Sequence, residues 1–224
     1  MGESDSVTRA VQAGRSGGPR VLGSQDVLTL LDWKRTIFAL YEEIRNASDA
    51  RQGWDTWRWT RERLFRTHPQ SPLSEERREA FLGCRYYDYD SEARVMAEGV
   101  PLEPERREIV TSTGVSYAFS RFARAEFVLS GEWCTPELYW LEGYGGGLFL
   151  PFGDATSGEK TYPAGRYLLD TVKGADLGTE DGRLVLDFNF AYNPSCAYDP
   201  KWVCPLAPTS NWLPVAVAAG EQTP

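Results

Sequence analysis

The chain contains one histidine, His68, two methionines and four cysteines in 224 residues. A single histidine excludes the sites that need two or three: the H-E-x-x-H zinc motif, the three-histidine metal centre and the two-histidine facial triad. Cys84, Cys134, Cys196 and Cys204 form no C-x-x-C pair, so the spacing of a structural zinc site is missing and no metal is expected. The one G-x-S-x-G match, Gly14 to Gly18, lies in the Gly-, Ser- and Arg-rich start with no strand before it, and no G-x-x-x-x-G-K-[ST] loop occurs, which removes the α/β serine hydrolases and the P-loop enzymes. No apolar run approaches the ~20 residues that span a bilayer. The start "MGESDSVTR" also lacks the basic and then apolar order of a signal peptide. A cytoplasmic protein with no membrane partner is expected.

Positive charge is scarce in the second part of the chain. Residues 1–83 hold 13 Lys and Arg against 12 Asp and Glu, whereas residues 84–224 hold 11 against 20. Phosphate binding relies on cations that release counterions, so nucleic acid is not an expected partner. The acidic balance suits solubility and a small-molecule ligand that is cationic or neutral, and the oligomeric state is not legible.

Aromatic residues are plentiful. The 8 Trp, 11 Tyr and 10 Phe favour strands and stacked ligand surfaces. Residues 1–25, rich in Gly, Ser and Arg, have no apolar period and read as a disordered tail. From Asp26 to Asn46 the residues Val27, Leu30, Leu31, Ile37, Phe38, Tyr41 and Ile44 recur at three and four, the period of an amphipathic helix. A second helix is predicted over Trp54 to Arg66, with Trp54, Trp57, Arg61 and Leu64 on one side and Pro69 ending it. Ser74 reads as the N-cap of a short third helix.

After Gly83 the period falls to two. Runs such as "RYYDYD", "ARVMAEG", "VSYAFSRFARAEFVLSG", "RLVLDFNFAYN" and "LPVAVAAG" read as strands between Gly, Pro and Asp turns. The expected fold is mainly β: an antiparallel barrel or sandwich of about nine strands over residues 84–224, with the helices of residues 26–83 packed on it. The glycine run "LEGYGGGLFLPFG" has a strand after it instead of a helix, so it reads as a hairpin and not a phosphate cradle.

Candidate chemistry is thin. His68 has the titration range of a general base or a haem ligand, and equally suits a capping role before Pro69. Cys196 and Cys204 close a short loop that permits either a disulfide or a dithiol, and Cys196 is a nucleophile only if a cation lowers its pKa. In the last strand Asp187, Asn189 and Asn193 share one face, and in "GRYLLDT" Arg166 and Asp170 do. Such faces suit a polar ligand or plain solvent. Phe188 and Phe190 are predicted to finish a core strand. Pro194, Pro200, Pro205 and Pro208 then lock a loop that either holds a site or plugs one end of the β-domain.

The segments "LFRTHPQSPL", "LFLPFGDATSGEKTYPAGRYLLD", "KGADLG" and "DFNFAYNPSCAYDPKWVCPLAPTSNWLPVAVAAGE" resemble the bacterial and archaeal domain-of-unknown-function family 1684. The resemblance covers nearly all of Asp32 to Glu221. It implies family membership and brings no activity or cofactor; flavin and haem stay open. It also implies that the family's shared polar residues fall at His68, Asp154, Ser157, Arg166, Asp170, Lys173, Asp176, Asn189, Tyr192, Asn193, Cys196, Tyr198, Asp199, Cys204 and Asn211.

Three functions are compatible with these residues. One is an enzyme whose pocket lies where the 192–211 loop meets the 154–158 turn. There Asp154 or Asp199 would be acid or base, Cys196 or His68 an alternative catalyst, and Arg166, Asp170, Lys173, Asn189, Tyr192, Asn193, Tyr198 and Asn211 would be ligand contacts. The second is a non-catalytic β-barrel that binds a small molecule. The third is a structural or interaction module that docks a partner through "WDTWRWTRERLFR".

Overall fold

The computed structural model describes residues 23–224. The expected disordered tail lies outside the described residues, apart from positions 23–25, of which Ser24 and Gln25 already belong to the first helix.

Three helices open the described chain: α1 Ser24–Asn46, α2 Ala50–Thr67 and the short α3 Glu75–Glu79. Asp49 caps α2 by accepting from the Arg51 amide at 2.8 Å. His68 ends that helix with extended backbone, φ −83° and ψ 139°, as a residue before proline must. Ser74 caps α3 as predicted, its side chain accepting from the Arg77 amide.

Eight strands follow: β1 Arg94–Val110, β2 Ser116–Leu129, β3 Glu132–Cys134, β4 Glu137–Leu141, β5 Leu148–Phe152, β6 Arg166–Asp170, β7 Thr179–Glu180 and β8 Arg183–Asp187. They form one antiparallel sheet in the order β6-β5-β4-β2-β1-β8-β7, with β3 attached to β2. The sheet curls into a half-barrel on which the helices pack. The long β1 shifts register between Pro101 and Glu105; prolines at 101 and 104 cannot donate to the ladder there. The glycine run is the β4–β5 hairpin, as expected.

Both sheet faces are covered, and β8 shows how. Leu184 and Leu186 join one core cluster, with Phe127, Phe152 and Phe188, while Val185 joins another, with Leu40, Tyr41, Trp54 and Trp57 of the helices. Alternate residues of a strand point to opposite faces, so the helices cover one face and the C-terminal segment the other. Leu213, Val215, Val217 and Ala219 are buried against that second face.

Three sequence expectations are corrected. The alternating run Leu213–Gly220 does bury every second residue, but it is no strand; its carbonyls are held by other groups, described below. "RYYDYD" is reduced to a single bridge between Tyr86 and Glu221. The strand through Phe188 and Phe190 ends at Asp187, and residues 188–190 form a buried single turn of 3₁₀-helix.

The α1 stripe docks only in part. Leu40 and Tyr41 are buried, whereas Val27, Leu30, Leu31 and Phe38 are exposed, Phe38 at 47%. The far half of α1 presses on the turn after β6 so closely that a side chain at Gly174, where φ is +92°, would meet Phe38 and Ile37. No helix among the described residues is long and apolar enough to cross a membrane.

Candidate functional site

The residues singled out in the sequence separate into three groups. The first is a buried seam around Asp154 and Arg166, both side chains fully enclosed. Asp154 follows β5 and Arg166 begins β6, which places them side by side. Arg166 Nη2 donates to Asp154 Oδ2 at 3.0 Å and to the Val217 carbonyl at 3.0 Å; Nη1 donates to the carbonyls of Ala219 and Glu221. Asp154 Oδ1 accepts from Thr156 N at 2.8 Å, Thr156 Oγ1 at 2.6 Å and Val217 N at 3.1 Å. Burial pulls the Arg166 pKa below its ordinary range, against the Asp154 charge that raises it. These bonds hold the C-terminal segment in place of a strand ladder.

Asn189 and Asn211 act in the same way. The Asn189 amide exchanges hydrogen bonds with both backbone groups of Asp90 and donates to Asp187 Oδ1 at 2.8 Å. Asn211 accepts from Glu137 N and donates to the carbonyls of Glu137 and Pro151. Asp187, Asn189 and Asn193 are all buried, so their shared face is not a solvated one.

The second group is dispersed. His68 Nδ1 accepts from Gln70 N at 3.0 Å, which leaves Nε2 to donate to Asp32 Oδ2 at 3.3 Å; the second bond ties α1 to the end of α2. Asp199 accepts from the Lys201 amide at 2.9 Å and pairs with its ammonium at 3.1 Å. That amide bond is the main reason the Asp199 carboxyl sits below the usual aspartate range.

The third group converges on a cleft of about 420 Å³ between the two long helices, the turn after β6 and the 192–204 loop. Lys173, Tyr192, Asn193 and Tyr198 line it, with Cys204 in its wall; the 154–158 turn does not. Asp170 stands behind Lys173, 3.4 Å from its ammonium. The Lys173 side chain is 61% exposed, as befits a group at the cleft mouth.

The floor is made by residues that sequence reasoning missed. Arg61 grips Glu221 with Nε and, at 3.1 Å, with Nη2. Glu221 Oε2 also accepts from Asn193 N at 2.7 Å and Tyr198 OH at 2.9 Å. Burial opposes the Arg61 charge, but Glu221 outweighs it and the pKa rises. The helical spacing of Arg61 with Trp54 and Trp57 was a usable signal; Glu221, near the chain end, carried none. Burial pushes the hydroxyls of Tyr41, Tyr192 and Tyr198 above the usual tyrosine range, so they stay neutral donors near pH 7. Asn193 Oδ1 is buried without a hydrogen-bond partner among the described residues.

Cys196 and Cys204 lie together beside this cleft. All four cysteines are free thiols. The Cys196 amide donates to Cys204 Sγ at 3.4 Å, and Tyr162 OH is 3.8 Å from Cys196 Sγ.

The model of a family described as a protein of unknown function, DUF1684, matches residues 79–222. The solution NMR structure of an uncharacterized protein from Haloarcula marismortui is 38% identical to this chain, with a TM-score of 0.53; the match covers 77% of this chain and 95% of the other. No curated protein matches the chain.

Proposed function

The chain belongs to the DUF1684 family of proteins of unknown function, and we propose that it binds a small amphipathic carboxylic acid in the cleft between its helices and its curled sheet. The supporting observation is the lining. Trp33, Trp57, Phe65, Tyr167, Tyr192 and Trp202 supply aromatic walls, and among the described residues the charged members of the lining are Lys34, Arg61 and Lys173. The volume falls in the range of small-ligand pockets, which are mostly apolar with a few placed polar groups.

An apolar body would displace water from the aromatic walls, each Å² of apolar surface removed from water contributing ~25 cal/mol. The acid group would face Lys34 and Lys173 at the mouth, since Arg61 is already engaged by Glu221. The Asn193 Oδ1 acceptor suits a ligand hydroxyl or N–H, because a buried acceptor left unpaired is costly.

None of Asp154, Asp199, Cys196 and His68 lines this cleft. The reading is therefore one of binding, with no catalytic step assigned. The test is a thermal-shift and two-dimensional NMR comparison of benzoate and octanoate with benzylamine and octylamine. The acids are expected to raise the unfolding midpoint and to perturb signals from Tyr192 and Lys173, and Lys34→Ala with Lys173→Ala to abolish the shift. Equal effects from acids and amines, or perturbations away from the cleft, would overturn it.

A further inference from the structure

Cys196 sits in the middle of a 3₁₀ turn, Ser195–Ala197, and Cys204 directly precedes Pro205. Pro200 fixes φ between the two cysteines, and Pro194 and Pro205 fix it on either side of them. The fold then brings them into contact. The Cys196 amide points at Cys204 Sγ, 3.4 Å away.

Their surroundings differ. Cys204 is buried, held by Ser112 Oγ at its own amide. Cys196 is partly buried and keeps some access to solvent. Cys84 and Cys134 have no cysteine neighbour: the Cys84 sulfur faces Tyr198 OH, and the Cys134 sulfur faces the Glu132 carbonyl.

We propose that Cys196 and Cys204 form a hydroperoxide-reactive dithiol that closes to an intramolecular disulfide, Cys196 being the attacking sulfur and Cys204 the resolving one. The Cys196 thiolate takes the terminal oxygen of the hydroperoxide, breaking the O–O bond and releasing the alcohol or water. Cys204 gives up its proton and attacks the resulting sulfenic sulfur, forming the S–S bond and expelling hydroxide, which leaves as water. Two sulfurs lose one electron each, and the peroxide gains both.

The hydrogen bonding supports these roles. Donation from the Cys204 thiol, helped by Tyr162 and Ser112, brings the Cys196 pKa down to about 6 against the burial that would raise it, and the same interaction raises Cys204. By contrast, burial pushes the Cys84 thiol up to about 12. Peroxide sensitivity follows thiolate character, access and a resolving partner, and Cys196 combines all three. The proposal is independent of what the cleft binds, although Cys204 stands in the cleft wall.

The test uses the full chain, fully reduced and then treated with one equivalent of hydrogen peroxide. Lys201 lies between the two cysteines, so trypsin separates them and a disulfide appears as two joined peptides. The expected result is loss of two of the four thiols, a mass lower by two hydrogens, joined peptides carrying Cys196 and Cys204, and full reversal by dithiothreitol. The Cys204→Ser variant should instead accumulate Cys196 sulfenic and sulfinic acid. Four thiols surviving in the wild-type chain, oxidation of Cys84 or Cys134 at the rate of Cys196, or sulfinic acid at Cys196 with Cys204 still free would each overturn the proposal; because these readouts are taken on the wild-type protein, a misfolded variant does not decide the outcome.

Discussion

Asp154 and Arg166 carry opposite charges with no access to water, and neither can lose its partner cheaply. Asp154→Ala should destabilise the protein by about 3–5 kcal/mol, the usual cost of leaving a buried charge uncompensated, read from urea unfolding. A loss under ~1 kcal/mol, the surface range, would mean that water reaches Arg166. Glu137 supplies a pH-dependent test. Burial acts to raise its pKa, but hydrogen bonds from Tyr139 and Ser210 and the charge of Arg121 prevail, and the net shift is downward. A carboxylate with a lowered folded-state pKa stabilises the fold above its unfolded value, ~4.3, and that contribution is lost as pH falls through the folded value. Glu137→Gln should therefore lower the unfolding midpoint clearly at pH 7, and the gap from wild type should close between pH ~4.3 and lower pH. A gap that stays constant with pH would show that the carboxylate's charge is not what the site uses.

At the scale of the helices, α1 and α2 contribute unequally. Trp54 in α2 is buried between Tyr86 and Tyr89, and its indole N–H donates to the Asn189 carbonyl at 2.9 Å. Trp54→Ala should cost about 3–5 kcal/mol through the cavity it leaves. Phe38 in α1 is half-exposed, so Phe38→Ala should stay under ~1 kcal/mol, even though the sequence places it in the same apolar stripe as Tyr41. Chemical denaturation of the two variants side by side distinguishes a docked α2 from an overhanging α1. Leu30, Trp33 and Lys34, in the first half of α1, border the cleft.

The cleft is a property of the whole molecule, because its walls come from both helices, the turn after β6 and the proline-locked loop. A ligand that binds only the folded state stabilises it by RT ln(1 + [L]/Kd), about 2.7 kcal/mol at a hundredfold excess over Kd. Val203 lies at the mouth and is 41% exposed. Val203→Trp should fill the entrance, removing the shift produced by benzoate or octanoate while leaving the unliganded midpoint within the ±0.5 kcal/mol typical of surface changes. Retention of the ligand shift would place the acid elsewhere.

What the sequence alone determined is whatever short-range chemistry controls. The three helices, the Ser74 cap, the stop at Pro69, the glycine hairpin and the antiparallel class all follow from periods, caps and turn residues within a few positions of one another. The polar residues of the tail were recognisable as special, but their roles were not. Asn189 and Asn211 read as ligand contacts until the fold enclosed them with backbone groups as partners, 99 and 74 residues away. The cleft itself depended on tertiary structure. Arg61, in its lining, is joined to Glu221 across 160 residues. The same distinction separates Leu213–Gly220 from a strand: its alternation reports burial of one side, which the sequence shows. Whether its carbonyls meet a neighbouring strand or the Arg166 guanidinium is decided by chain segments about 50 residues away, and no local pattern encodes that pairing.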